Sequence, residues 1–357
     1  MTAETRTREA GTAGSSPGPR RPAALASRLA GVALLALTTG AAADADHEDV
    51  RSREPVELDA AFALVSRSAE PTWLAYAVPG QPRHEASGHW GHCRCELELD
   101  GGDARHVHLS DDGEPLLMLL RFAGGELERV RVVGADCRVT HRRDGAVWAG
   151  EVEPAESLAL LRPLLTAAPH EIADDLLPGI AHHRGPEATR LLTELASTGG
   201  HGELAEDAVF WLGTARGQAG YESLVRLLES RPEIDLRKAV VFALHQSPVD
   251  AAAARLARLA VSDPDPEIRR EALFWLGQSG LAHAEMIYEA ALGDADDDVA
   301  HHAVFVLGQR PEPENIEYLA RVLRQDRRPE LRKEALFWIG QVDSSDALDI
   351  VSRVLNE

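Results

Sequence analysis

Three groups of side chains in this sequence have types and spacings that could do chemistry. The first lies between positions 84 and 141: His84, Glu85, His89, His92, Cys93, Cys95, His106 and His108, then Cys137 and His141. Imidazole and thiolate are the usual protein ligands of zinc and copper, so His84, His89, His92, His106 and His108 are candidate metal ligands. The competing chemistry is oxidation. Cys93 and Cys95 stand two apart in a strand-like run and share a face, which makes a bridge between them awkward. Cys137 with Cys93 or Cys95 is the expected disulfide, leaving one thiol over, and it is preferred to a metal.

The second group is His170-Glu171-Ile172-Ala173-Asp174. A helical zinc peptidase site needs a second histidine one turn on, and Asp174 stands there instead. A Ser-centred nucleophile elbow and a glycine-rich phosphate cradle are both missing from the sequence. The third group is aromatic: Phe210, Phe242, Phe274, Phe305 and Phe337 recur at one position, and Trp211, Trp275 and Trp338 follow three of them. At about 100° per residue, the phenylalanine points well away from the Leu or Ile two residues later. Two readings follow: packing between neighbouring helices, or an aromatic ridge that grips a partner. The basic pairs Arg237-Lys238, Arg269-Arg270 and Arg332-Lys333 flank the ridge and are expected to pair with acids at the preceding junction.

The elements that must position these groups fall into three regions. Residues 1–43 read as a polar extension and an export signal: Arg20, Arg21 and Arg28, an apolar core Leu29–Leu37, then small residues around Ala41–Ala45. The apolar core is shorter than the roughly 20 residues a membrane span needs. The expected location is therefore periplasmic or extracellular, without membrane insertion after cleavage. Residues 44–155 read as a small α+β domain. It has one helix over Glu54–Ser68, an irregular stretch from Glu70 to Gly91, and strand-like runs at Cys93–Leu99, His106–Leu109, Pro115–Phe122 and Leu127–Val133. A last pair of strands, Cys137–His141 and Ala146–Val152, is joined by Asp144-Gly145, a hairpin signal.

Residues 156–357 repeat. AEDAVFWLGT, RKAVVFALHQ, RREALFWLGQ, AHHAVFVLGQ and RKEALFWIGQ are variants of one segment, anchored by Leu212, Leu244, Leu276, Leu307 and Ile339 at intervals of 32, 32, 31 and 32. A second ladder, Leu192, Leu224, Leu256, Ile287, Leu319 and Val351, keeps the same period and the same one-residue slip. Ile180 begins a weaker first copy, and Glu156–Leu165 is an expected capping half-repeat. Each unit reads as a helix pair, with Pro-Glu at helix starts such as Pro266 and Pro329 and a glycine stop at Gly213, Gly277, Gly308 or Gly340. A lone pair cannot bury its apolar stripe, so the pairs must stack.

These residues resemble the HEAT repeats of the phycobilisome-lyase-like type. The resemblance implies an α-α superhelix of about six helix pairs and, as the default role, protein–protein scaffolding. Deoxyhypusine hydroxylase, also built of HEAT-like repeats, binds two irons through His-Glu dipeptides ahead of such a helix. Its slots here hold Glu206-Asp207, Lys238-Ala239, Arg270-Glu271, His301-His302 and Lys333-Glu334, and only His301 supplies the histidine, without the following acid. The expected protein is mainly α, with a small antiparallel α+β domain before the solenoid. It is an exported binding or scaffold protein with no cofactor and no catalytic constellation. The alternative is a metal-dependent hydroxylase-like or lyase-like enzyme. A net charge of -21 disfavours nucleic acid and permits a basic protein or peptide as partner.

Overall fold

Thr72–Val78 (β2) is an interior strand of the larger sheet, and all seven of its residues are buried. Its side chains face two apolar layers in turn: Trp73, Ala75 and Ala77 enter one core, and Leu74, Tyr76 and Val78 the other. That two-sided burial removes the polar alternation that marks a half-exposed strand. For this reason the stretch from Glu70 reads as irregular in the sequence yet forms an interior strand of a sheet.

The computed structural model describes residues 48–81, 96–99, 107–108, 115–141, 145–198, 202–279, 284–309, 313–342 and 345–356. The remaining strands are β1 (Glu48–Asp49), β3 (Glu96–Glu98), β4 (Val107–His108), β5 (Leu116–Ala123), β6 (Glu126–Gly134), β7 (Arg138–His141) and β8 (Ala146–Glu151). They form a five-stranded sheet, β4-β6-β5-β2-β8, and a three-stranded sheet, β1-β7-β3. The antiparallel pairs β2–β5 and β5–β6 are the backbone of the larger sheet, while β8 joins β2 and β4 joins β6 in parallel. The strands on either side of Gly145 thus enter different sheets, and no hairpin closes there. Side-chain burial outweighs the turn signal: Trp148 and Ala146 pack in the layer between the sheets, while Ala149 faces the opposite core. The expected first helix shortens to α1, Leu58–Val65.

From Pro154 the chain is helical. A single helix, α2 (Pro154–Ala167), precedes six pairs, matching the expected capping half-repeat. The first helices of the pairs are α3 (His170–His182), α5 (Glu203–Ala215), α7 (Ile234–His245), α9 (Pro266–Gln278), α11 (Asp297–Gly308) and α13 (Pro329–Gly340). Their partners are α4 (Pro186–Thr198), α6 (Gly217–Ser230), α8 (Asp250–Ser262), α10 (Ala284–Gly293), α12 (Pro313–Gln325) and α14 (Ser345–Asn356). Leu212, Leu244, Leu276, Leu307 and Ile339 are all buried, as the ladder requires. Pro266 and Pro329 do start helices, and Asp265 caps α9 by accepting from the Glu267 backbone N–H at 2.8 Å.

Helices α11 and α13 do end at Gly308 and Gly340, as expected, but most of the repeat glycines have a further role. None of Gly213, Gly277, Gly308 and Gly340 has the positive φ of a left-handed cap, and α5 and α9 run past theirs. A methyl at Gly213 would lie 2.4 Å from the Ala243 carbonyl oxygen, at Gly277 2.2 Å from Val306, and at Gly308 2.2 Å from Trp338. Each of these three is a notch that admits the next first helix of the stack.

The basic residues also pair in another direction. Arg237 and Arg269 reach forward to the loop after their own pair's second helix, with Asp263 at 2.7 Å and Asp294 at 2.8 and 2.9 Å. Asp326 continues this acidic ladder and is held by Arg328 at 2.8 Å, since Ala300 takes the arginine's place on α11.

The sheet and the array share one apolar core within the compact unit Ala45–Glu357. Gly179 of α3 sits on the sheet, where an added methyl would be 2.7 Å from Met118. Past Val78 the chain bonds directly to the end of α3: Gly80 bridges His183, and the Gln81 N–H donates to the His182 carbonyl at 2.9 Å.

Candidate binding face of the repeat array

Successive first helices place the repeated aromatic residues along one face. Phe210 and Phe242 stack with centroids 6.1 Å apart, and Phe242 meets Trp275 at 4.6 Å. Farther along, Phe274 approaches the His302 ring at 6.3 Å, His302 meets Phe305 at 5.6 Å, and Phe305 meets Trp338 at 5.7 Å. Trp211 turns toward His182 at 5.8 Å. The rings therefore pack between repeats, and most stay half-buried. Phe337, on the last first helix, is 57% exposed. Ring-to-ring packing and partial exposure thus coexist along this face.

An open groove crosses this face between α5, α7 and α9, lined by Glu206, Asp235, Lys238, Phe242, Glu271 and Trp275, with Ala239 as its floor. The Trp275 indole N–H donates to Glu271 Oε1 at 2.7 Å, which orients both side chains. Lys238 is engaged by Glu267. Beside the groove, His170 lies 3.0 Å from Glu203 and 3.8 Å from Asp207. The Asp207 carboxyl is pushed above the usual range, first by burial and then by the Asp174 carboxylate, with His170 opposing.

Of the slots that hold His-Glu in an iron hydroxylase, His301 here bonds to Glu334 at 2.7 Å, and Ala239 stands in one without a ligating group. Among the described residues, no group of three or more His, Cys, Asp or Glu is arranged to hold a metal ion. His84, His89, His92 and His106, with Cys93 and Cys95, lie outside the described residues, as does the proposed export signal. His108 falls on β4, and Cys137 is fully buried immediately before β7. Trp73 is a core residue.

One polar constellation carries no signal in the sequence. Tyr76 Oη lies 2.9 Å from Ser157 Oγ, which lies 2.8 Å from His183 Nε2, while His183 Nδ1 lies 2.6 Å from the Gly179 carbonyl. The carbonyl accepts from Nδ1–H, so Nε2 of the neutral ring accepts from Ser157, and Ser157 accepts from Tyr76. Burial pushes the His183 imidazole down to about 4 and the Tyr76 phenol up. Ser157 and His183 have 0% exposure, so this serine–histidine pair meets no substrate and serves to join sheet, α2 and α3. Its members are 81 and 26 residues apart, a separation no local pattern can reveal.

The architecture is thus an α-solenoid of stacked helix pairs carrying a small sheet at its N-terminal side. Within this array, residues 284–357 match the family described as HEAT repeats. Among solved structures, the chain is similar to human deoxyhypusine hydroxylase in complex with glycerol, at 19% identity and a TM-score of 0.28 over 56% of this chain and 75% of that one. It is also similar to the complex of CpcE and CpcF of phycocyanin lyase from Nostoc sp. PCC7120, at 20% identity and a TM-score of 0.30 over 57% of this chain and 93% of that one. At these identities and scores, neither likeness bears on chemistry. No curated protein matches the chain.

Proposed function

We propose that this protein is a binding scaffold whose first-helix face grips a protein partner through the aromatic ridge. The observation that carries the reading is the run of half-exposed rings from Phe210 to Trp338, repeated on successive helices. Aromatic side chains offer large contact area at low entropic cost and dominate binding hot spots. The reading is of a surface rather than a reaction centre: the Ser157–His183 pair is sealed from solvent. The test is affinity capture from the source organism, followed by reconstitution with the purified partner. Phe242→Ala with Trp275→Ala should weaken binding at least tenfold while the helical circular dichroism stays intact. Unchanged binding by that double variant would overturn the reading.

Export is part of the same proposal, supported by the Arg-rich and apolar pattern of residues 20–45. A disulfide from Cys137 to Cys93 or Cys95 fits an oxidising compartment. Its support is the complete burial of Cys137, on a chain segment whose strand β7 pairs in parallel with β3, directly after Cys95. Intact mass of the exported, unreduced protein should show cleavage near Ala43 and one thiol open to alkylation. Three alkylated thiols would exclude the bridge.

A further inference from the structure

We propose that the acidic end of this face, between α3 and α9, binds an extended cationic segment with Lys or Arg at about every third residue. The inference rests on the scaffold reading and specifies its partner.

Charge is unevenly distributed along the first helices. The equivalent slot holds Asp174-Asp175 on α3, Glu206-Asp207 on α5, Lys238-Ala239 on α7, Arg270-Glu271 on α9, His301-His302 on α11 and Lys333-Glu334 on α13. Negative charge is thus concentrated at the N-terminal end and fades toward the C-terminus. Within the groove Lys238 is already neutralised by Glu267, and among the described residues no cation forms an ion pair with Glu206, Asp235 or Glu271. Asp174, Glu206 and Glu203 all act to raise the Asp207 carboxyl, behind burial as the main cause and with His170 opposing, so further carboxylates stand close to it. An incoming cation would relieve that repulsion.

The aromatic rings supply the second half of the recognition. Phe242 and Trp275 are both half-exposed in the groove beside these carboxylates. A cation over an aromatic face gains about 0.5–2 kcal/mol, more when water is excluded. A guanidinium or ammonium can therefore contact a ring and a carboxylate together, whereas an acidic or purely apolar segment satisfies only the rings or neither.

The spacing follows from the helices. Packed helices lie about 8–10 Å apart, so equivalent slots recur at that interval. A polyproline-type chain rises about 3.1 Å per residue with three residues per turn, which returns a side chain to the same face every ~9 Å. A cation at every third residue can then meet an acid of the groove on one first helix after another: Glu206 on α5, Asp235 on α7 and Glu271 on α9.

The test uses the full chain and three fluorescent 12-residue peptides: (Arg-Pro-Ala)4, the same composition with its arginines contiguous, and (Glu-Pro-Ala)4. Fluorescence anisotropy should show saturable binding of the first, at least tenfold weaker binding of the second and none of the third. Glu206→Gln, Asp235→Asn and Glu271→Gln combined should weaken the first at least tenfold. Glu229→Gln on α6, whose carboxylate pairs with Arg255 away from the groove, should leave it unchanged. Equal binding of the contiguous peptide would overturn the spacing. Binding of the acidic peptide, absence of binding by (Arg-Pro-Ala)4, or indifference to the triple variant would overturn the cationic partner. The scaffold reading survives any of these outcomes if Phe242→Ala with Trp275→Ala still releases the captured protein, and falls separately if it does not.

Discussion

Arg216 sits almost fully buried and, among the described residues, forms no ion pair with a carboxylate. Its guanidinium donates to Thr189 Oγ1 at 2.9 Å and to the carbonyls of Ala181 at 2.9 Å, His183 at 2.8 Å and Gly185 at 2.5 Å. Burial lowers its pKa to about 10, still high enough to keep the charge at neutral pH. Four neutral acceptors therefore stand in for a counter-ion and tie the loop after α3 to α5. Arg216→Met should cost about 3 kcal/mol in urea denaturation, because several buried carbonyls lose their donor at once. His183 makes a different, pH-dependent contribution. Its folded pKa, lowered mainly by burial and further by Arg216 and His182, is about 4, against 6.5 for the free group. The unfolded chain takes up a proton that the folded one refuses, so stability is full above about pH 6.5 and falls as the pH drops toward 4. Unfolding free energy should decrease by about 2 kcal/mol between pH 7 and pH 5 on this account, and His183→Asn should flatten that slope.

At the scale of elements, the repeat glycines decide how closely first helices approach. Gly213→Ala drives a methyl against the backbone carbonyl of Ala243, which cannot rotate aside as a side chain would. It should cost about 3 kcal/mol by overpacking. Gly340 occupies the same repeat position but has nothing within 4 Å of an added methyl. Gly340→Ala should therefore be neutral or stabilise by up to about 1 kcal/mol through helix propensity. Thermal denaturation of the two variants side by side checks the argument, and equal effects would defeat it. The sequence pattern pointed to a helix stop, which holds at Gly308 and Gly340 but not at Gly213 and Gly277. A stop and a notch both need glycine, and only the neighbouring helix distinguishes them.

Over the whole molecule, one core runs from the sheet into the repeats. The sheet face made of Leu74, Tyr76, Met118, Leu120 and Val132 is covered by helices, and Ser157 and His183 complete its polar bonding. Residues 45–153 alone would expose that face and leave Tyr76 without its partner. Expressed alone, they should give a poorly dispersed amide spectrum and bind hydrophobic dyes, whereas residues 45–357 should unfold the sheet cooperatively with the first repeats. A well-dispersed spectrum from the short fragment would show that the sheet folds autonomously.

The sequence by itself determined the helix pairs, their number and their anchors, because a period near 32 places identical apolar residues at equivalent sites and stacking is the one way to bury them all. It also identified the aromatic positions, since they recur with the same period. It did not reveal β2, whose two buried faces erase alternation, or the forward pairing of Arg237 and Arg269, which depends on where a loop returns. Only the tertiary structure decided that the rings are both packed and accessible, and that Tyr76, Ser157 and His183 meet. Burial and contact between residues distant in the chain are properties of packed neighbours, and no local spacing encodes them.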